Sequence, residues 1–209
     1  MPDPALVIIA RAPEGGQVKT RLAAGIGNVA ALAAYRALLA VVVRTQAAWR
    51  GPVLLAATGE PTAWVGTGLE HLPRQAQPEG GLGARIAAAL TWGVATTGRA
   101  IAIGTDCPGL HPRHLHALAA QLDHVPVVFG PALDGGYWAV GVNGSAAIPL
   151  MTGSDLPWSQ PLLLTTSQAR LDAAAIRHAT GDILADCDDM HDLTAAIAAG
   201  HLPPMDSLP

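Results

Sequence analysis

Four short segments hold most of the side chains that could do chemistry. The first is R-A-P-E-G-G-Q-V-K-T-R-L, Arg11 to Leu22, which contains Lys19, the only lysine in 209 residues. An ammonium is a compact point charge that suits a phosphate oxygen, whereas a guanidinium presents a planar fork. Gly15 and Gly16 permit a backbone turn, and Arg11, Lys19 and Arg21 together could neutralise two phosphates. A strand, a glycine-bearing loop with cations and then a helix is how many α/β proteins hold phosphate. As a surface lysine, Lys19 is expected to matter to stability by no more than ~0.5 kcal/mol.

The second segment is I-G-T-D-C-P-G-L, Ile103 to Leu110. Asp106 follows an apolar run, between Thr105 and a Pro108-Gly109 turn, which is a good position for holding a divalent metal; capping the turn is the plain alternative. The third is G-P-A-L-D-G-G-Y-W-A-V-G, Gly130 to Gly141, where the glycines after Asp134 allow close approach to a ligand or form an ordinary tight turn. The fourth is D-C-D-D-M-H-D-L, Asp186 to Leu193. Its four carboxylates repel one another, and either a bound cation or a helix amino terminus relieves this. His191 reads as a surface residue. A further loop, Q-A-Q-P-E-G-G-L-G-A-R from Gln75 to Arg85, could read a base edge through Gln77 and backbone groups, or be a plain turn. The histidines of H-P-R-H-L-H, His111 to His116, fit no zinc spacing, and Cys107 lacks a neighbouring base.

These segments need a scaffold, and the apolar runs supply it. Val-, Ile- and Leu-rich stretches at Ala5–Ala10, Pro52–Ala57, Ala100–Gly104, Pro126–Gly130 and Tyr137–Val142 alternate with helical periodicity, which predicts an α/β layer fold. Helices are expected at Asn28–Ala48, Leu82–Thr96, Pro112–Leu122, Gln160–Leu171 and Asp189–Ala199. Tyr137–Val142 follows Pro126–Gly130 after six residues, too few for a helical crossover, so a mixed sheet is expected. The expected organisation is one domain over 1–209 with a loose tail from about residue 202.

Composition narrows the partners. A net charge of −4 with 13% charged residues argues against a nucleic-acid surface, and 4% aromatics against a stacking platform. The apolar runs are interrupted short of the ~20 residues of a membrane span, so no membrane partner is expected. The opening M-P-D-P lacks the basic start of a secretory signal, which makes the cytoplasm the expected location. Two cysteines, Cys107 and Cys187, make no disulfide framework.

Taken in order, A-R-A-P-x-x-G-x-V-K-T-R-L, Q-x-x-G-x-L-G-x-R, G-T-D-C-P-G-L, G-P-A-x-D-G-G-Y-W, Trp158-Ser159 and D-x-D-D-x-x-D-L resemble a bacterial family of GT-A-like transferases. Its members are variously described as radical-SAM- or selenodomain-associated transferases or as glycosyltransferases. The resemblance spans nearly the whole chain. It implies a three-layer nucleotide-diphospho-sugar transferase fold with a mixed, mostly parallel sheet of about seven strands. It implies that Ala10, Arg11, Gly15, Lys19, Arg21, Gln77, Gly80, Gly83, Arg85 and Thr105 bind a nucleotide. It implies that Asp106 binds Mg²⁺ or Mn²⁺ with Asp188 or Asp186 as the second acid, and that Lys19, Asp106 and Asp134 are catalytic. Asp134, Gly135, Gly136, Tyr137, Trp158 and Ser159 would then face the sugar or a small-molecule acceptor. One departure is Gly81, where such proteins often carry Asp before the Leu-Gly pair.

The function expected is a metal-dependent glycosyltransferase using a nucleotide-sugar donor. A nucleotidylyltransferase releasing pyrophosphate is the first alternative, and a non-catalytic nucleotide-binding module the second. Lys19 precedes Arg21, unlike the order in the usual sugar-nucleotide pyrophosphorylase loop, and this favours glycosyl transfer.

Overall fold

A computed structural model describes residues 3–207; Met1 and Pro2 of the opening and Leu208 and Pro209 of the tail lie outside them. The first strand is β1 (Ala5–Ala10), rich in β-branched residues at Val7, Ile8 and Ile9 and buried along nearly its whole length. Then come α1 (Thr20–Ala47), β2 (Val53–Ala57), β3 (Arg74–Ala76), α2 (Leu82–Thr97), β4 (Arg99–Ile103) and α3 (Pro112–Gln121). The second half adds β5 (Val127–Pro131), β6 (Tyr137–Asn143), α4 (Ile148–Thr152), α5 (Leu163–Ala173), β7 (His178–Thr180) and α6 (Met190–Ala198). The strands form one sheet in the order β3-β2-β1-β4-β6-β5-β7.

Only β6 runs against its neighbours, pairing antiparallel with both β4 and β5. The short Pro131–Tyr137 connection enforces that reversal. Side chains alternate across β1: Leu6 and Ile8 enter the core under α1, α3 and α6, while Val7 faces the core under α2, α4 and α5. Three layers follow, helices on both faces of a sheet.

α1 contains a break that the sequence expectation foreshadowed. Gly27 has φ 83° and ψ 160°, so the long regular segment starts at Asn28 and a short turn from Thr20 precedes it. By length and composition α1 is apolar enough to cross a membrane, contrary to the expectation that every apolar run stops short. Its Leu22, Leu38, Leu39, Val41 and Val42 are packed in the core, the behaviour of a buried core helix. At the start of the expected tail Leu202 is buried and its N–H donates to the Ala196 carbonyl, while residues 203–207 are exposed. Short β3 and β7 carry too few residues to show a strand period, and neither was expected from the sequence.

With six strands parallel, their carboxyl ends share one edge of the sheet with the amino end of β6. In such sheets ligands bind beyond the carboxyl ends where strand order changes direction. Arg11 follows β1, Gln77 follows β3, Asp106 follows β4, Asp134 follows β5 and Asp186 follows β7. One edge thus gathers residues spread over 175 positions of sequence.

Candidate active site

Lys19 occupies the centre of this edge. It sits immediately before α1 in the left-handed region, at φ 48° and ψ 45°, a conformation that costs a non-glycine residue roughly 1–2 kcal/mol. That backbone twist turns the side chain inward: it is 6% exposed, and its Nζ donates to Asp106 and, at 3.1 Å, to Asp188 Oδ1. Burial alone would lower the ammonium pKa, but the two carboxylates outweigh it and hold the group above the ordinary lysine range. Arg21 reaches the other oxygen of Asp188 at 3.3 Å from the solvent side. Lys19 is therefore no surface lysine, which corrects the expectation that it hardly affects stability.

Two backbone features bring the acids together. The Cys187 N–H donates to the Asp106 carbonyl at 2.9 Å, tying the loop after β4 to the segment before α6. Cys187 is fully buried, so in D-C-D the two flanking aspartates turn the other way and both line the cleft. Asp106 and Asp188 converge as the resemblance implied, and they meet on the Lys19 ammonium. Hard oxygens on both sides of one cation are the donor chemistry of Mg²⁺ or Mn²⁺, so these residues fit such an ion.

The cleft encloses about 790 Å³. One wall is cationic, with Arg11, Lys19, Arg21 and Arg85. Tyr35, which the sequence reading missed, holds this wall in place: its hydroxyl donates to the Arg11 carbonyl at 2.9 Å and accepts from the Arg11 N–H at 3.2 Å. Burial pushes the Tyr35 phenol up to about 12, so it stays protonated. A polar ring on the apolar face of the 28–47 helix was the available signal. At the far end Gln77 donates from Nε2 to the Ala10 and Ala56 carbonyls, both at 2.8 Å. Its amide orientation is thereby fixed, and Oε1 is buried without a partner, as is the Nε of Arg85. Buried polar atoms normally find partners, so these two are available to a ligand.

The opposite wall is acidic and neutral. Asp134, Gly136, Tyr137, Ser159, Gln160 and Asp186 line it, and between Ala132 and Asp186 the lining includes no Lys, Arg or His. The Gly136 N–H donates to Asp134 Oδ1 at 2.8 Å. Burial lifts the Asp186 carboxyl above the usual aspartate range, with the Asp134 and Asp188 charges adding to the rise. A carboxyl whose folded pKa is raised weighs against folding once ionised, and this penalty disappears as pH falls to the unfolded value near ~3.9. We expect Asp186→Asn to gain up to about 0.5 kcal/mol at pH 7 and to lose that gain near pH ~4, as read by thermal melts across pH.

Five residues implied by the family resemblance do not line the cleft. Gly15 and Gly80 lie on exposed turns. Gly83 packs under Trp158, where a Cβ would meet the Thr152 carbonyl at 2.5 Å. Trp158 donates to the Gly153 carbonyl, as a packing residue does. Gly135 has φ 87° and abuts the Pro161 carbonyl. Ala10, Thr105 and the other implied residues do line it. Asp189 and Asp192, which approach His191 closely enough to share a cation, instead cap α6 by accepting from the N–H groups of His191, Asp192 and Asp188. His111 and His114 likewise form the capping box of α3. Both cysteines are buried thiols, and burial pushes Cys187 up to about 11, which makes them poor nucleophiles.

Strand order and the cleft at the carboxyl edge together define a nucleotide-diphospho-sugar transferase fold of the GT-A type. A candidate nucleotide-diphospho-sugar transferase from Desulfovibrio desulfuricans G20 superposes with a TM-score of 0.86 at 22% identity, covering 96% of this chain and 88% of the other. A CMP:2-keto-3-deoxy-manno-octonic acid synthetase solved with CTP gives 0.54 at 16% identity, covering 95% and 100%. The glucosyl-3-phosphoglycerate synthase of Mycobacterium tuberculosis, solved with Mn²⁺, UDP and glucosyl-3-phosphoglycerate, gives 0.51 at 12% identity, covering 96% and 80%. No curated protein matches the chain. Residues 38–160 match the family described as uncharacterized protein conserved in bacteria (DUF2064), and the chain belongs to that family. That span includes Gln77, Asp106 and Asp134 but neither Lys19 nor Asp188.

Proposed function

We propose that the protein is a metal-dependent glycosyltransferase that takes a sugar from a nucleoside diphosphate and gives it to a small acceptor without a phosphate group. The observation that carries this reading is the division of charge in the cleft. Arg11, Lys19, Arg21 and Arg85, with Asp106, are the charged lining from the first half of the chain, while the second half contributes Asp134, Asp186 and Asp188 and no cation. A diphosphate is stabilised by the cations of the first half and repelled by the acids of the second. Nucleotidylyl transfer to a sugar phosphate would need cations on both sides, so the same division disfavours that alternative. The fold is shared by enzymes of both kinds and does not choose between them.

Within this reading Lys19 and Arg21 hold the diphosphate, and the orphaned Gln77 Oε1 and Arg85 Nε meet the nucleoside. A divalent ion held by Asp106, with Asp188 or Asp186, would offset charge on the departing diphosphate. Asp134, fixed through one oxygen by the Gly136 N–H, has its second oxygen for the acceptor hydroxyl. The acceptor oxygen bonds to the sugar carbon, the carbon–phosphate-oxygen bond breaks, the proton passes to Asp134 and nucleoside diphosphate leaves. A cytoplasmic setting suits the two unpaired cysteines.

The test is incubation with Mn²⁺ or Mg²⁺ and panels of nucleoside triphosphates and nucleotide sugars, with hydroxyl acceptors that are neutral, cationic or phosphorylated. Nucleoside diphosphate release with non-phosphorylated acceptors is expected. Pyrophosphate release would establish nucleotidylyl transfer instead, and nucleotide binding without any product would establish a binding module.

A further inference from the structure

We propose that Lys19 is an internal counter-cation that must leave Asp106 and Asp188 before a divalent ion can be held between them, and that the nucleotide's diphosphate draws it away. Nucleotide would then bind first and metal second. This rests on the reading of the cleft as a nucleotide-diphosphate site and adds an order of events to it.

The geometry supports an exchange. Lys19 Nζ contacts one oxygen of each acid at the point where a shared cation would lie, and its side chain is enclosed rather than splayed to solvent. An ammonium and a divalent ion cannot both occupy that point without strong repulsion. No other lysine exists to substitute for it. Arg21 is 71% exposed and engages the second oxygen of Asp188, so its guanidinium is open to a phosphate arriving from the solvent side. The diphosphate supplies what the lysine loses, anionic oxygens on the cationic wall a side chain's reach away. Its remaining oxygens then complete the shell of an ion that finds only one or two carboxylates in the protein. Linkage makes the coupling reciprocal: whatever removes Lys19 from the acids tightens the metal.

The experiment follows Mn²⁺ binding by electron paramagnetic resonance on nucleotide-free parent, Lys19→Met and Lys19→Arg proteins. Lys19→Met is expected to bind Mn²⁺ at least tenfold more tightly than the parent, and Lys19→Arg no more tightly. Equal or weaker binding by a folded Lys19→Met protein overturns the proposal. A second measurement needs no variant. Labelling lysine at Cε with carbon-13 gives a single side-chain signal, because the chain has one lysine. Adding uridine, cytidine, guanosine or adenosine diphosphate without metal should shift it, whereas Mg²⁺ alone should leave it in place. A signal unmoved by a diphosphate that calorimetry shows to bind overturns the proposal. If none of the four diphosphates binds, the nucleotide reading fails, and the Mn²⁺ comparison still decides whether Lys19 is the counter-cation.

Discussion

Replacing Lys19 by alanine is expected to lower nucleoside-diphosphate affinity roughly 10- to 100-fold, the value of one charge-assisted contact to a phosphate. The same change is expected to cost about 1–2 kcal/mol of folding stability, because it leaves two carboxylates facing one another without their shared cation. Lys19 itself is enclosed, which raises the cost above that of a surface pair, but Asp106 is 52% and Asp188 37% exposed, and solvent screens much of their repulsion. Calorimetry of diphosphate binding beside urea melts separates the two effects. Parental affinity in Lys19→Ala would remove the phosphate role, and unchanged stability would remove the counter-cation role. Lys19→Arg should restore little of the affinity, since a planar fork presents its charge to a phosphate oxygen at a different reach and geometry from a compact ammonium.

Gly135→Ala is expected to destabilise the fold by about 2–4 kcal/mol and to abolish transfer with it. Its φ is 87°, and an added Cβ would stand 2.1 Å from the Pro161 carbonyl oxygen, which is backbone and cannot swing aside. The Leu164 N–H donates to the Gly135 carbonyl at 3.0 Å, so the strain passes directly into the start of α5 and the Ser159-Gln160 wall. Gly15→Ala is the contrast: nothing lies within 4 Å of its Cβ position, and a change within ±0.5 kcal/mol is expected. Melts of both variants check this pair. A Gly135→Ala protein as stable as the parent would show that the Pro161 contact relaxes freely.

Much of this arrangement is legible in the sequence because the strands that carry it have clear patterns. Ala5–Ala10 agrees residue for residue with β1, and the six-residue spacing before Tyr137 foretold the antiparallel β6. Gly27 separates the helix expected from Asn28 from the turn that presents Lys19. The loops proved legible as a set and less so residue by residue. Glycine in D-G-G or L-G reads alike whether it clears space for a ligand or for Pro161 and Trp158, and only the packing of α5 and the 153–158 turn decides between them. Tyr35 stayed hidden inside an apolar helix face because nothing in its own neighbourhood announces the Arg11 backbone 24 residues earlier. The convergence of Lys19 with Asp188, 169 positions apart, depends on the Cys187–Asp106 backbone bond and on which way D-C-D alternates.

On the proposed reading, the acids at Asp106 and Asp188 and the cationic wall form one site for a metal and a nucleoside diphosphate together. Calorimetric titration of Mn²⁺ with and without nucleoside diphosphate, on the parent and on Asp106→Asn, tests it most directly. The expected result is weak Mn²⁺ binding to the nucleotide-free parent, at least tenfold tighter binding once diphosphate is present, and loss of that coupling in Asp106→Asn. Equal Mn²⁺ affinity in both conditions, or an Asp106→Asn protein that keeps the coupling, would contradict it.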